Sequence, residues 1–130
     1  MHRIYGETPG GLGTRLVPTG RQFDAIRVPR FLGLVALSGL RRTGAVIVDP
    51  RERALYFLVP AGAADTWAVP ETRALGTAEY LIVPPPARTA PPGPYWLGSH
   101  SAATWSLASA AEIHSALMNL LTHGAREGAA

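Results

Sequence analysis

The chain has 130 residues, with 12 arginines, no lysine, nine acidic residues and no cysteine. This length corresponds to one domain, and a hydrophobic share of 47% is enough to build a core. The lack of cysteine excludes disulfides, thiolate metal sites and a cysteine nucleophile. The apolar runs are far shorter than the roughly 20 residues that span a membrane, and no signal peptide is evident, so we expect a cytoplasmic protein.

The N-terminal segment is rich in glycine and poor in side chains that could be buried. The stretch 10–14 is not a phosphate-binding loop, because no Gly-Lys-Ser/Thr follows it. We therefore predict a flexible arm over 1–19, a single domain over 20–124 and a frayed tail over 125–130.

The first two elements follow directly after the predicted arm. Apolar and polar residues alternate over 23–28, which predicts a strand. Pro29 then favours the start of a helix, and apolar residues recur at helical spacing over 31–40. We expect the basic pair Arg41-Arg42 in the last turn of this helix, where cations are favoured.

A β-hairpin is predicted next, because two apolar runs flank the turn-forming residues 49–53. The runs are 45–48 and 54–59, and both are rich in strand-forming residues. We expect four alternate residues of this hairpin to face a helix: Val46, Val48, Tyr56 and Leu58.

The remaining chain adds strands and a second helix. We interpret 63–77 as irregular, 79–83 as a strand, 84–94 as a proline-rich extended loop and 94–97 as a short strand. Ser109 and Glu112 form a capping box before a helix whose apolar stripe ends near Gly124. The predicted fold is α+β, a mostly antiparallel sheet of about five strands covered by two helices.

The sequence shows no recognisable catalytic or metal-binding pattern. No Asp-x-Asp pair occurs, and Asp49, the one acid that ends a strongly apolar strand, precedes Pro50 as turn-forming residues do. His114 and His123 are nine residues apart on one predicted helix and project in opposite directions. We predict no catalytic residue, no metal site and no cofactor.

The arginines suggest a nucleic-acid-binding surface, because a guanidinium presents a planar fork of donors to phosphate. An equally open interpretation is that they only solvate a helix end and a turn. The candidate residues lie around the predicted helix and hairpin: Arg27, Arg30, Arg41, Arg42, Arg51 and Arg53.

A protein–protein adaptor is the alternative hypothesis, in which the proline-rich loop 84–94 and exposed tryptophans bind a partner. Trp67 and Trp105 lie in weakly periodic segments. The helix over 31–40 is apolar around more than half of its circumference, which predicts a homodimer that buries Leu32 or Leu40.

Several short motifs occur in a suggestive order along the chain: Gly44–Asp49, Leu55–Pro60, Ala78–Pro86 and Tyr95-Trp96. In this order, and with Gly20–Asp24 before them, they resemble the later half of the primase/polymerase-like (prim-pol) domains of high-GC bacteria. The resemblance extends over about residues 20–120.

The sequence departs from that family at its catalytic positions. Asp49 is followed by Pro50 and Arg51 instead of completing an Asp-x-Asp/Glu pair, and the family's histidine is missing from the region of Tyr56. Pro86 stands where the family has serine. The resemblance therefore implies a related but degenerate fold without nucleotidyl transfer.

Overall fold

The computed structural model describes residues 13–41, 44–97 and 106–129. The fold is α+β, as predicted. Its strands are β1 (Arg15–Pro18), β2 (Asp24–Pro29), β3 (Val46–Asp49), β4 (Ala54–Val59), β5 (Arg73–Leu75), β6 (Tyr80–Val83) and β7 (Tyr95–Trp96). Its helices are α1 (Arg30–Leu37) and α2 (Ala110–Ala129), and Ala63–Thr66 forms a 3₁₀ helix.

Five of the strands form one sheet, in the order β5-β2-β4-β3-β7, and every pairing among them is antiparallel. β4 lies at the centre of this sheet. Five of its six residues are buried, because both faces of the sheet are covered. A strand that is buried on both faces shows a continuous apolar run, which is what Ala54–Val59 shows.

One face of the sheet is covered by the two helices. Ile113 and Leu117 of α2 are fully buried there, which confirms the predicted apolar stripe. The backbone N–H of Glu112 donates to Ser109 Oγ at 3.2 Å, as the predicted cap requires. α1 approaches β4 closely at Gly33, where an added Cβ would lie 3.0 Å from the Leu55 side chain.

The opposite face is covered by a two-stranded ribbon of β1 and β6. Leu81 and Val83 of β6 pack there against Trp96, whose indole N–H donates to the Pro84 carbonyl at 3.1 Å. This second cover was not predicted. The sequence predicts 79–83 as a strand of one main sheet, but β6 pairs instead with β1, which lies inside the segment predicted to be an arm.

The predicted hairpin of β3 and β4 is confirmed, but the predicted facing of its residues is wrong. Val48 pairs with Leu55 and Val46 with Phe57, and all four lie on the helix face. Tyr56 and Leu58 face the ribbon, so they do not share a face with Val46 and Val48. The reason is the turn, which leaves four residues between paired positions and therefore sets odd-numbered residues opposite even-numbered ones.

Three predicted boundaries also change. β1 places 15–18 inside the fold rather than in an arm, and β5 forms within the stretch interpreted as irregular. The helical backbone of α2 continues to Ala129 instead of ending at Gly124. Ala and Glu, which follow Gly124, are good helix formers, and each glycine in a helix costs only about 1 kcal/mol.

Candidate nucleic-acid interface

The turn between β3 and β4 is held by Asp49. Its Oδ1 accepts the backbone N–H groups of Arg51 at 3.1 Å and Glu52 at 3.2 Å. This confirms the prediction that Asp49 forms a turn, since an aspartate side chain commonly accepts from backbone groups two residues further on. The turn leaves the side chains of Arg51 and Arg53 exposed.

The same turn meets the start of α1. The backbone N–H of Arg30 donates to the carbonyl oxygen of Arg53 at 2.8 Å. This bond also provides a partner for one of the N–H groups that a helix start leaves without an intrahelical acceptor. The contact sets the start of α1 beside the turn that carries Arg51 and Arg53. We call the three exposed arginines of these two segments the arginine cluster: Arg30, Arg51 and Arg53.

Two members of the arginine cluster occupy positions where arginine is locally unfavourable. Arg53 has φ 53°, in the left-handed region that glycine or asparagine adopts at less cost. Arg30 is the first residue of α1, where the positive end of the helix dipole disfavours a cation, and the first turn holds no acidic residue. Positions that break local rules are expected at functional sites.

Arg27 does not belong to the cluster. It lies opposite Tyr56 on the ribbon face of the sheet, and its Nη2 is 3.0 Å from Glu52 Oε1. Burial lowers the pKa of Arg27, but a hydrogen bond with Tyr56 and the charge of Glu52 outweigh it, so its pKa is raised overall. Arg27 is therefore already engaged within the protein.

Arg41 lies apart from the cluster, at the far end of α1. Arg41 is exposed and follows the end of α1, which is about 12 Å long and starts at Arg30. The expectation that Arg41 lies in the last turn is wrong, because α1 ends at Leu37 and that turn holds no basic residue. Arg42 lies outside the described residues.

A second surface adjoins the cluster along α1. Phe31 is 78% exposed, Leu34 44% and Val35 41%, and at spacings of three and four they share the side of α1 that points away from the sheet. We call these three residues the α1 outer face. Leu32 and Leu40, predicted to lie at a dimer interface, are instead partly buried against the protein's own core.

Trp67, one of the two tryptophans predicted to bind a partner, is engaged within the fold instead. Trp67 is partly buried against the helix-face core, its indole N–H donates to Thr72 Oγ1 at 2.8 Å, and its ring meets His114 edge-on. Trp105 lies outside the described residues. The proline-rich loop is tied to β7, since Trp96 N donates to the Arg88 carbonyl at 2.9 Å, while 89–92 are exposed.

One buried carboxylate was missed at the sequence level. Asp24 is 1% exposed, and its Oδ2 accepts the N–H groups of Gly62 and Ala64, each at 2.9 Å. Its Oδ1 has no hydrogen-bond partner among the described residues. Asp24 thus anchors the start of the 3₁₀ helix to β2. No local sequence pattern predicts this long-range contact.

The described residues contain no cluster of three or more His, Asp or Glu that could hold a metal ion. Within the same ranges, no helix is long and apolar enough to cross a lipid bilayer. Comparison of the chain with protein-family models, with curated proteins and with solved structures gives no match. The resemblance to prim-pol domains therefore stays a prediction.

Proposed function

We propose that this protein is a non-catalytic module that binds nucleic acid in the cytoplasm, with the arginine cluster contacting phosphates. The observation that carries the proposal is the 2.8 Å bond between Arg30 N and the Arg53 carbonyl, which joins the turn to the helix start. It sets the backbones of Arg30 and Arg53, which are distant in sequence, next to each other, and both residues are exposed.

The charge balance of this surface supports an anionic ligand. Glu52 is engaged by Arg27, so Asp49 is the acid of the turn that remains without an arginine partner among the described residues. Three guanidinium groups then face solvent beside one carboxylate. Arginine remains charged at every physiological pH and offers phosphate a bidentate donor fork.

The unfavourable backbone positions add a second line of support. A side chain that only solvates a turn would be replaced at little cost by glycine at position 53, and an acid or serine would suit the start of α1 better than Arg30. An arginine at both positions is consistent with a ligand that repays the local cost.

The test is binding of fluorescein-labelled 20-nucleotide DNA and RNA, single- and double-stranded, measured by anisotropy over a range of salt concentrations. Each phosphate contact contributes about 0.7 to 0.9 to the slope of log K against log salt. We expect Arg51→Gln and Arg53→Gln each to weaken binding of every sequence and to reduce that slope by about 1.

Arg21→Gln is the matched control, because Arg21 is exposed but lies in the turn between β1 and β2, away from the cluster. We expect it to leave the slope unchanged. Binding that the Arg21 variant weakens as much as the Arg51 variant would reflect overall charge alone and would contradict the proposal, as would the absence of binding at low salt.

The adaptor hypothesis retains one supporting observation, the exposed stretch 89–92 of the proline-rich loop. A Pro-rich segment can be recognised in aromatic-lined grooves of other proteins. Replacement of Pro91 and Pro92 by alanine should abolish capture of such a partner without affecting oligonucleotide binding, which separates the two hypotheses.

A further inference from the structure

The α1 outer face lacks a cover among the described residues, although α1 is otherwise packed. Gly33 and Ala36 are buried against the sheet side, whereas Phe31, Leu34 and Val35 point to solvent. Large apolar side chains scattered singly on a surface are ordinary, but three adjacent ones on a single helix form a patch of the kind that marks an interaction site.

The charged residues at the two ends of α1 are both cationic. Arg30 lies at one end of α1 and Arg41 just beyond the other, both exposed, and residues 30–41 include no acid. A ligand that covers the apolar side chains therefore also meets a cation at each end. The surface is complementary to an apolar stripe with acidic residues at both ends.

A second copy of this chain fits the patch poorly. Two α1 helices related by a two-fold axis run either antiparallel, with Arg30 near the partner's Arg41, or parallel, with Arg30 near the partner's Arg30. In both cases like charges meet, and residues 30–41 hold no acid to offset the repulsion.

We propose that the α1 outer face binds an acidic amphipathic helix of another protein. The row of Phe31, Leu34 and Val35 follows the i, i+3, i+4 ridge of an α-helix, and such ridges pack into the grooves of a second helix. The apolar side chains of the partner helix lie over Phe31, Leu34 and Val35, and the carboxylates at its two ends pair with Arg30 and Arg41. The stems of those arginines extend the apolar contact.

The test uses two synthetic 14-residue peptides that share a leucine stripe at helical spacing. One carries glutamate at both ends, and the other carries lysine at the same positions. We expect the glutamate peptide to bind at least about tenfold more tightly by anisotropy, and Leu34→Ser to weaken it by about tenfold, the value expected for one buried leucine. Arg41→Gln should weaken it by about threefold at low salt.

Leu107→Ser is the matched control, because Leu107 has a similar exposure of 37% but lies before α2. It should leave peptide binding unchanged, and thermal melting verifies that each variant is folded. Equal binding of the two peptides, no binding of either, or equal effects of the Leu34 and Leu107 variants would overturn the proposal.

Two further measurements assign the patch if the proposal fails. If light scattering shows that the protein is a dimer and that Leu34→Ser makes it a monomer, a second copy of this chain covers the α1 outer face. If Leu34→Ser lowers oligonucleotide affinity as much as Arg51→Gln does, the α1 outer face binds nucleic acid. Either result overturns the peptide proposal. The light-scattering result is independent of whether the arginine cluster binds phosphate, whereas the oligonucleotide result requires that it does.

Discussion

The arginines of the sheet and those of the arginine cluster lie close together and are in different electrostatic situations. Arg27 on β2 lies directly opposite Arg73 on β5. Like charges opposite each other destabilise a sheet, and here each has its own acid: Arg27 pairs with Glu52, and Arg73 with Glu79. The sheet arginines are thus balanced within the fold.

The arginine cluster shows the reverse. Arg30, Arg51 and Arg53 have no ion pair among the described residues, and two of them occupy locally unfavourable backbone positions. The comparison shows that the sheet arginines form ion pairs that stabilise the fold. The arginines of the cluster are not ion-paired in this way, so their charges can bind an anionic ligand. The predictions below test this contrast between a fold whose groups have their partners and a cluster whose charges have none among the described residues.

The largest expected effect is on the interior. Val46→Asp or Leu58→Asp places an unpaired charge in a fully buried site and should unfold the domain. Circular dichroism and thermal melting measure this. Leu34→Asp is the control, since the same change on the α1 outer face should leave the melting temperature almost unchanged. Native-like melting of the Val46 variant would remove this strand from the core.

Loss of the buried carboxylate should have the next largest effect. Asp24→Ala leaves the N–H groups of Gly62 and Ala64 without their acceptor, and hydrogen bonds to a charged group contribute about 1.5 to 3 kcal/mol each. We expect urea denaturation to show a loss of about 3 kcal/mol. Asp65→Ala, at an exposed position of the same 3₁₀ helix, should change stability by less than about 0.5 kcal/mol.

The cluster should respond in the opposite direction. Arg53→Gly relieves a left-handed residue and should stabilise the protein by about 1 kcal/mol, and Arg30→Gln should add a few tenths by removing a cation from a helix start. Both variants should bind oligonucleotides more weakly. Urea denaturation and anisotropy on the same samples measure the two effects, and a destabilised Arg53→Gly protein would contradict the assigned strain.

The smallest effect concerns Tyr56, beside Arg27. Burial raises the pKa of Tyr56 above its ordinary value of 10.0, although the neighbouring Arg27 partly opposes the shift. The folded protein therefore holds this proton more tightly than the unfolded chain does. The contribution of Tyr56 to the free energy of unfolding is fully present below pH 10 and is lost as the pH rises through the pKa of the folded state.

Tyr56→Phe has no proton to lose at this position, so its free energy of unfolding should decline less between pH 10 and 11 than that of the parent protein. Tyr80→Phe is the control, since Tyr80 is 50% exposed. Identical alkaline profiles for the parent and the Tyr56 variant would contradict the shift.

The sequence alone determined the elements with strong local signals. The α2 stripe with its Ser109 cap, the β3–β4 hairpin and the turn role of Asp49 were all predictable, because hydrophobic period and turn chemistry act over a few residues. The α+β class followed from the order of those elements. The sequence identified the arginines as candidates by residue type, but it did not indicate which of them lie together in space.

Only the tertiary structure decided which residues meet. The parity of a four-residue turn turned Tyr56 and Leu58 away from the helices, and pairing with β6 drew 15–18 into a ribbon that has little apolar signal of its own. Of six candidate arginines, three form the arginine cluster, Arg27 pairs with Glu52, Arg41 lies apart, and Arg42 lies outside the described residues. These outcomes depend on strand register and long-range hydrogen bonds, which join residues tens of positions apart and leave no periodic trace in the chain.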